Sequence, residues 1–326
     1  MHFEDEQHEL NVFEDIFYRE IESGWNADHI YCDNCFDNFV AEWPLAYSAR
    51  DAELQRAGID HEVFYSGSRL NQLFTKKDYT RLIVKMSCPN CGAPLGGNFW
   101  PYHLPFNIPK TFVQDVREVG RLAKLAPFLL LSHPLSRRLF DLVRRVSITA
   151  PTQVVNDRLY RARSINASVS EDLACFDFPP AAVVSEGRYN HAGRPVLYLA
   201  SSLKTCIAEL RNAEALVASF NLTRPLKIFD LLDIDSFEGE DYDIMGALSF
   251  SALISAPHNK EGWNRPAYVF TRFLSDCATF FNFDAIKYPS TRLSDQDGSY
   301  NLVILKEDIT LRATAREVTY QTHKLK

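Results

Sequence analysis

The sequence predicts an α+β protein with a mainly helical N-terminal part and a sheet-rich C-terminal part. Its 326 residues are enough for two domains of about 100 to 200 residues each, and 46% of them are hydrophobic. Helical periodicity dominates up to Ala150, whereas short β-rich runs alternate with helices after it. We therefore expect a helical domain over residues 1–110, a helical connector over 111–150 and an α+β domain over 151–326.

Apolar residues at helical spacing carry the prediction for the first part. They recur every three or four positions at Leu10, Phe13, Phe17 and Ile21. This spacing predicts a helix over residues 8–22 that ends at Gly24. The segments 38–57 and 70–86 are also predicted to be mostly helical, whereas 98–110, which is rich in proline, is predicted to be a loop.

Helical periodicity continues into the predicted connector, from Thr111 to about Val146. Pro134 disfavours a helical conformation of the residue before it, so two helices are expected here. Beyond the connector, four β-rich runs predict strands: Val196–Ala200, Leu226–Leu231, Ala285–Tyr288 and Leu302–Leu305.

The charge balance excludes some classes of function. The chain has 35 basic and 42 acidic residues, a net charge of −7, so a basic nucleic-acid surface is not expected. The acidic N-terminus differs from a signal sequence, and no apolar run reaches the ~18 residues of a membrane span. We expect a cytoplasmic protein without a membrane partner.

Four of the seven cysteines form two Cys-x-x-Cys pairs, Cys32/Cys35 and Cys88/Cys91. Two such pairs can supply the four thiolates of a tetrahedral structural Zn²⁺ site. The segment between the pairs is longer than the about 15 to 20 residues of a compact zinc ribbon, so a helical insertion must return the chain to the metal. The alternative is that these cysteines are buried reduced thiols.

Polar residues follow or flank several predicted strands in the second half: Arg161, Arg188, Tyr198, Glu209 and Ser290. Arginine binds phosphate through a planar fork, and a buried carboxylate can stabilise positive charge developing on a ribosyl carbon. Together they suit a ligand with phosphates and a sugar. Taken singly, Glu209 is also typical of a helix surface and Ser290 of a turn after proline.

Six short motifs follow one another in the second half: Tyr-Arg-Ala-Arg, Gly-Arg-Tyr-Asn-x-x-Gly, Leu-Tyr-Leu-Ala, Thr-x-x-Ala-Glu-Leu-Arg, Tyr-Pro-Ser and Asn-Leu-Val. In this order and spacing, the chain from Leu159 to about Leu305 resembles the RES domain, which occurs in bacterial toxins that consume NAD⁺. The resemblance implies a fold similar to ADP-ribosyltransferase toxins. It also implies cleavage of the bond between nicotinamide and ribose in NAD⁺.

The resemblance also implies roles for individual residues. The catalytic arginine, glutamate and serine of the family correspond to Arg161, Glu209 and Ser290. The positions implied to bind NAD⁺ are Arg188, Tyr198, Asn190 and Asn301. The sequence departs from the family at Tyr189, where methionine is frequent, and at Cys206, where alanine is common, which leaves fine substrate preference open.

The cysteine-paired first half is similar to the extensions, described as similar to HEPN domains, that precede some RES domains. An enzyme that degrades NAD⁺ harms its host unless it is restrained, so an antitoxin or a regulatory partner is expected, in a toxin–antitoxin or anti-phage setting. Its identity and the oligomeric state are left open.

The acceptor of the ADP-ribosyl group is also left open by the sequence. Water would make the protein a glycohydrolase, phosphate a phosphorylase, and a macromolecule an ADP-ribosyltransferase. A further alternative is a binding module in which the zinc knuckles contact nucleic acid or protein and the RES domain is inactive. The acidic balance and the intact motif set weigh against that alternative.

Overall fold

The structure is a computed structural model that describes residues 5–27, 29–43, 58–165, 169–210, 213–255, 268–290 and 298–324. It divides into two compact units, Met1–Asn107 and Ile108–Lys326. The helices of residues 111–150 belong to the second unit. The predicted α+β class is confirmed, because helices dominate the first unit and an eight-stranded sheet forms the centre of the second.

The first unit contains helices around a two-stranded antiparallel sheet. Its helices are α1 (Glu6–Trp25), α2 (Phe36–Glu42), α3 (His61–Gly67), α4 (Leu70–Leu73) and α5 (Lys76–Ile83), and its strands are β1 (His29–Cys32) and β2 (Phe99–Tyr102). The first predicted helix is confirmed as α1, which Asp5 caps by accepting a hydrogen bond from the His8 amide. The predicted helical segment 70–86 contains α4 and α5, and Thr75 caps α5. Of the predicted helix 38–57, only the beginning lies in α2, and residues 44–57 lie outside the described residues.

Aromatic side chains fill the core of this unit. Phe17 of α1 meets Phe64 and Phe99 edge to face, with ring centroids 5.0 Å and 5.5 Å apart. The prediction of a loop over residues 98–110 is wrong where β2 lies. Pro101 fits in this strand because a strand of a two-stranded sheet has a free edge, at which a missing amide proton is tolerated.

The second unit begins with two helices and continues into the sheet. Its helices are α6 (Phe112–Leu125), α7 (Pro134–Thr149), α8 (Leu203–Glu209), α9 (Glu240–Phe250), α10 (Ala252–Ser255), α11 (Val269–Phe280) and α12 (Leu311–Thr314). The predicted interruption before Pro134 is confirmed: a 3-10 helix, Pro127–Ser132, separates α6 from α7. Among the helices described, none is both long and apolar enough to cross a membrane.

Eight strands form the sheet of the second unit in the order β10-β6-β4-β5-β9-β8-β7-β3. They are β3 (Thr152–Gln153), β4 (Leu159–Ser164), β5 (Leu197–Ala200), β6 (Ala215–Leu222), β7 (Leu226–Asp230), β8 (Ala285–Pro289), β9 (Tyr300–Ile304) and β10 (Ala315–His323). Neighbours are antiparallel except β7 and β8. Apolar residues of seven of these strands pack into one buried core cluster, with Leu159, Phe220 and Leu302 among its members.

The predicted strands are confirmed as β5, β7, β8 and β9. The sequence reasoning did not single out β6 and β10. Nearly every residue of β6 is buried, so this strand lacks the alternation of polar and apolar residues that marks a strand with one exposed face.

Candidate active site

A pocket of about 560 Å³ opens in the second unit beside the junction of β4 and β5, a size typical of small-molecule sites. In the part of the chain that the structure describes, these strands share a single register pair, Tyr160 with Ala200. Beyond this pair, Arg161 of β4 donates through Nη1 to the backbone oxygen of Tyr198 in β5, at 2.8 Å. A side chain thus bridges the two strands next to the pocket.

Six of the seven residues predicted for the NAD⁺ site line this pocket: Arg161, Arg188, Asn190, Tyr198, Glu209 and Asn301. Arg161 lies in β4, Tyr198 in β5 and Asn301 in β9. Arg188 and Asn190 lie in the loop before β5, and Glu209 ends α8. The seventh, Ser290, is outside the lining but contacts Glu209. The fold therefore brings together residues spread over about 140 positions of sequence.

Arg161 is a buried cation in the pocket wall, with 8% of its surface exposed. Its Nε is buried and has no hydrogen-bond partner among the described residues. Burial, together with the like charge of Arg163, lowers the pKa of Arg161 to about 9, which leaves the group charged at neutral pH. Because this charge is poorly compensated, an anion bound nearby would be stabilised.

Arg188 lies on the loop before β5 and is a further cation of the pocket lining, which also includes Arg163. Its Nη1 donates to the backbone oxygen of Ile254 at 2.6 Å, and its guanidinium lies 5.0 Å from the ring centroid of Tyr268. Burial acts to lower the pKa of Arg188, but neighbouring tyrosines and Glu209 outweigh this effect and raise the pKa above its ordinary value. Arg188 is therefore fixed in position and charged.

Tyr198 and Asn190 brace this loop. The Tyr198 hydroxyl accepts from the Tyr189 amide at 2.9 Å and donates to Asn190 Oδ1 at 3.0 Å. Asn190 Nδ2 donates to the backbone oxygens of Ser185 and His191. Since these polar atoms are engaged with the protein, Asn190 and the hydroxyl of Tyr198 shape the pocket, and the ring of Tyr198 remains part of its wall.

Glu209 is the last residue of α8 and has an exposed side chain. Its Oε1 accepts from Asn301 Nδ2 at 3.0 Å and from Ser290 Oγ at 3.4 Å. Asn301 is buried in β9, and Ser290 directly follows β8. Two neighbouring strands thus orient a carboxylate that remains accessible from the pocket.

Three aromatic residues of the lining, Tyr160, Tyr268 and Tyr288, were not predicted to belong to the site. Tyr288 of β8 is buried against Tyr189, with ring centroids 4.5 Å apart, and Tyr268 precedes α11. Tyr288 stands directly before Pro289 and Ser290 in the Tyr-Pro-Ser motif, which was a usable signal. Tyr268 has no local signal, because only the fold carries it to Arg188.

The four paired cysteines form a second candidate site, in the first unit. All four Sγ atoms lie within 4.8 Å of one another. Three of the separations are 3.8 Å (Cys32–Cys35), 3.5 Å (Cys32–Cys91) and 3.8 Å (Cys35–Cys88). A tetrahedral Zn²⁺ with bonds of about 2.3 Å requires sulfur separations of about 3.8 Å. The arrangement fits a metal ion bound by four thiolates.

Local turns explain how each pair converges. Cys32 ends β1, and the Cys35 amide donates to its backbone oxygen at 2.9 Å. In the second pair, the Gly92 amide donates to the backbone oxygen of Cys88, and Gly92 has a φ of 76°, a value that glycine adopts without strain. Each turn directs two thiols toward one point.

Comparison with known protein families agrees with the resemblance seen in the sequence. The model of the RES domain family matches residues 158–323, just over half of the chain. The chain therefore belongs to the RES domain family, which confirms the resemblance seen in the motifs. A similar solved structure is the crystal structure of the M. tuberculosis MbcT–MbcA toxin–antitoxin complex, with 15% identity and a TM-score of 0.34 over 55% of this chain and 91% of that chain. No curated protein matches the chain.

Proposed function

We propose that this protein is an NAD⁺-degrading enzyme that cleaves the bond between nicotinamide and ribose by hydrolysis or phosphorolysis. One observation carries the proposal: a buried arginine, a half-buried arginine and an oriented carboxylate, Arg161, Arg188 and Glu209, line the same pocket. NAD⁺ presents the matching chemistry, an anionic pyrophosphate and a ribose that becomes cationic when nicotinamide leaves. Membership of the RES family supports the same substrate.

In this proposal the arginines bind the pyrophosphate. Both guanidinium groups lie in the pocket lining, and Arg188 is additionally fixed on Ile254 and Tyr268. Their planar donors suit phosphate oxygens, and the burial of Arg161 strengthens the attraction because water screens it less. The ring of Tyr198 contributes an apolar wall for nicotinamide.

Glu209 then acts on the reacting ribose. The electron pair of the bond between ribose and nicotinamide moves to the pyridinium nitrogen, so nicotinamide leaves as a neutral molecule. The ribose carbon becomes oxocarbenium-like, and the carboxylate of Glu209 stabilises this charge. Asn301 and Ser290 orient Oε1 for that task.

An acceptor completes the reaction. Water attacking the ribose carbon and losing a proton gives ADP-ribose, whereas inorganic phosphate gives ADP-ribose phosphorylated at the same carbon. Transfer to a macromolecule would use the same first step. We propose water or phosphate because the residues of the site account for bond cleavage without a protein acceptor.

We also propose that Cys32, Cys35, Cys88 and Cys91 bind a structural Zn²⁺. The sulfur separations support this assignment, and four protein ligands leave no open position for substrate. The metal would join β1 and the start of α2 to the turn at residues 88–91. Its contribution would be to the folding of the first unit.

A toxin-like role follows from the proposed chemistry. Uncontrolled loss of NAD⁺ harms any cell, so we propose that a neutralising or regulatory partner restrains the enzyme. NAD⁺ and reduced thiols are both typical of the cytoplasm, which we propose as its location.

The experiment that tests the enzymatic proposal follows nicotinamide release from NAD⁺, with and without phosphate. The Glu209→Gln variant retains size and hydrogen bonding but loses the charge, so we expect its rate to fall on the order of 100-fold or more. Glu171→Gln, at an exposed residue outside the pocket lining, is the matched control and should retain activity. Equal silence of the wild type and Glu209→Gln would refute the proposal.

The products identify the acceptor. Release without phosphate indicates hydrolysis, and release that requires phosphate indicates phosphorolysis. Labelled ADP-ribose that remains attached to a macromolecule would instead identify a transferase.

A further inference from the structure

Helix α11 holds the loop that carries Arg188. The loop runs from Glu186 to Arg194, and the helix contributes Thr271, Arg272, Ser275 and Asp276, which recur at positions i, i+1, i+4 and i+5 and therefore share one face. Each of the four contacts the loop through a hydrogen bond or an ion pair. Such a series of contacts fixes the loop along its whole length.

Two of these contacts are buried hydrogen bonds to the backbone beside Arg188. Thr271 Oγ1 donates to the backbone oxygen of Arg188, and Ser275 Oγ donates to that of Tyr189 at 2.7 Å. Both donors are at most 3% exposed. Serine and threonine within a helix commonly bond to a carbonyl one turn back in the same helix, as Thr279 does with Ser275 at 2.8 Å. Ser275 instead bonds to a different segment, and Thr271 does so in addition to a 3.1 Å contact with the backbone oxygen of Tyr268.

Ion pairs flank these hydrogen bonds. Arg272, 5% exposed, lies 3.3 Å from Glu186, which begins the loop. Asp276 pairs through its two oxygens with His191 at 2.9 Å and Arg194 at 3.0 Å. The buried hydroxyl bonds therefore lie between charged contacts on both sides.

We propose that Thr271 and Ser275 are positioning residues that set the Arg188 guanidinium for substrate binding. The inference rests on the proposed NAD⁺-degrading function, in which Arg188 binds pyrophosphate. The helix fixes the backbone at residues 188 and 189, and the guanidinium then reaches Ile254 and Tyr268. Pyrophosphate is bound alike in the ground state and in the transition state, so a displaced Arg188 should raise KM and leave kcat nearly unchanged.

The test compares isosteric variants. Thr271→Val removes only the hydroxyl, Ser275→Ala does the same at the second position, and the double variant removes both. We expect KM for NAD⁺ to rise about tenfold in the double variant and severalfold in each single variant, with kcat within about twofold. Thr271→Ser restores the hydroxyl and should return KM toward the wild-type value. Thr279→Val, which removes a hydroxyl bonded within the helix, is the control and should leave KM unchanged.

A second measurement does not depend on activity. The Gly187 amide donates within the loop to the backbone oxygen of Asn190, and the Gly193 amide donates to that of Val184, just before the loop, each at 3.0 Å. Their hydrogen exchange should be faster in Thr271→Val and Ser275→Ala and unchanged in Thr279→Val. The single variants serve if the double variant does not fold.

The outcomes separate this inference from the proposed function. If the wild type releases no nicotinamide, the proposed function fails. Two measurements then still decide whether α11 positions Arg188: the hydrogen exchange of the loop amides, and the affinity for NAD⁺ measured by calorimetry. Unchanged loop exchange would overturn the positioning role. So would faster exchange with unaltered KM or affinity, or an equal KM rise in Thr279→Val.

Discussion

Gly187 shows how closely the pocket loop is packed. A Cβ atom at this position would lie 2.2 Å from Asn190 Oδ1 and 2.8 Å from the Tyr198 hydroxyl oxygen. Those two atoms are hydrogen bonded to each other, so neither can withdraw without loss of the bond. The first position of the Gly-Arg-Tyr-Asn motif therefore requires glycine, because there is no room for a side chain there.

Replacement of Gly187 by alanine should therefore impair both stability and NAD⁺ binding. We expect a loss of about 1 to 3 kcal/mol in the free energy of unfolding, from overpacking. Gly120→Ala is the matched control, because Gly120 lies within α6 and its added Cβ would meet nothing within 4 Å. It should be stabilising by about 0.5 to 1 kcal/mol. Chemical denaturation of both variants measures whether the free energy of unfolding changes in opposite directions. An unchanged free energy of unfolding in Gly187→Ala would contradict the close packing inferred at this position.

Two buried tyrosines, Tyr189 and Tyr288, and the half-buried Tyr198 meet at the same loop. Burial raises the pKa of each phenol, because the phenolate would lose hydration. The folded chain therefore retains protons that the unfolded chain releases above the ordinary pKa of about 10. The contribution of each protonated phenol to stability is present below about pH 10 and is lost as the pH rises above it.

Two phenylalanine substitutions test this. The Tyr189 hydroxyl is buried and has no hydrogen-bond partner among the described residues, whereas the Tyr198 hydroxyl has two. Tyr189→Phe should leave the free energy of unfolding at pH 7 unchanged or raise it. Above pH 10 this free energy should fall less steeply in the variant than in the wild type, with a difference in slope of about 1.4 kcal/mol per pH unit. Tyr198→Phe should lose about 1 to 3 kcal/mol at pH 7. Urea unfolding at pH 7 to 11 measures both, and identical alkaline slopes for Tyr189→Phe and wild type would contradict the argument.

At the scale of elements, the junction of β4 and β5 creates the pocket. The strands share one register pair, and the side chain of Arg161 takes the Tyr198 carbonyl that a backbone amide would otherwise bond. In the first unit, β1 and the start of α2 bring one cysteine pair to the turn that bears the other. In both places, side chains of a candidate site lie where strand pairing is interrupted or where a strand ends.

The cluster of four cysteines predicts that metal binding depends on the two Cys-x-x-Cys pairs and not on the other cysteines. We expect about one zinc per chain in the purified protein by mass spectrometry, and its loss in Cys88→Ser. Because the metal would stabilise the fold, Cys88→Ser or a chelator should also make the first unit sensitive to proteolysis. Cys277→Ser, at a buried cysteine of the second unit, is the control and should retain the metal. Metal-free wild-type protein that resists proteolysis would contradict the assignment.

The sequence predicted some elements well and others poorly, for physical reasons. Helix α1 was predictable because its buried residues Phe13, Phe17 and Ile21 recur at helical spacing. Strand β2 was not, because its proline resembles a loop until the pairing with β1 is known. Six residues of the pocket lining were recognised through their motifs, but the hydroxyl contacts of Thr271 and Ser275 join segments about 85 residues apart.

For the whole molecule, the net charge of −7 coexists with a local cationic pocket. Arg161 is buried and Arg188 is half-buried in the pocket lining, so either would attract an anion there at short range with little screening. Average charge therefore argues against a nucleic-acid surface but not against one dinucleotide.

Expression in a bacterial cell tests the proposed function of the whole chain. Induction should lower cellular NAD⁺ and stop growth. Because the cell consumes the products of the cleavage, nicotinamide release cannot run backward to restore NAD⁺. Cells that express Glu209→Gln to the same level should retain NAD⁺ and grow. Measurements of NAD⁺ by enzymatic cycling, with immunoblots for expression, provide the comparison. Equal growth arrest by both proteins, with unchanged NAD⁺, would contradict an NAD⁺-dependent effect.

The sequence by itself determined the α+β class, the RES membership, the cysteine pairs and the residues of the candidate site, since local spacing and motif order record each of them. The tertiary structure alone decided which groups meet: Asn301 and Ser290 on Glu209, Tyr268 under Arg188, and helix α11 against the pocket loop. These contacts depend on strand order and helix packing. Both arise from burial of apolar surface throughout the unit, which no local stretch of sequence specifies.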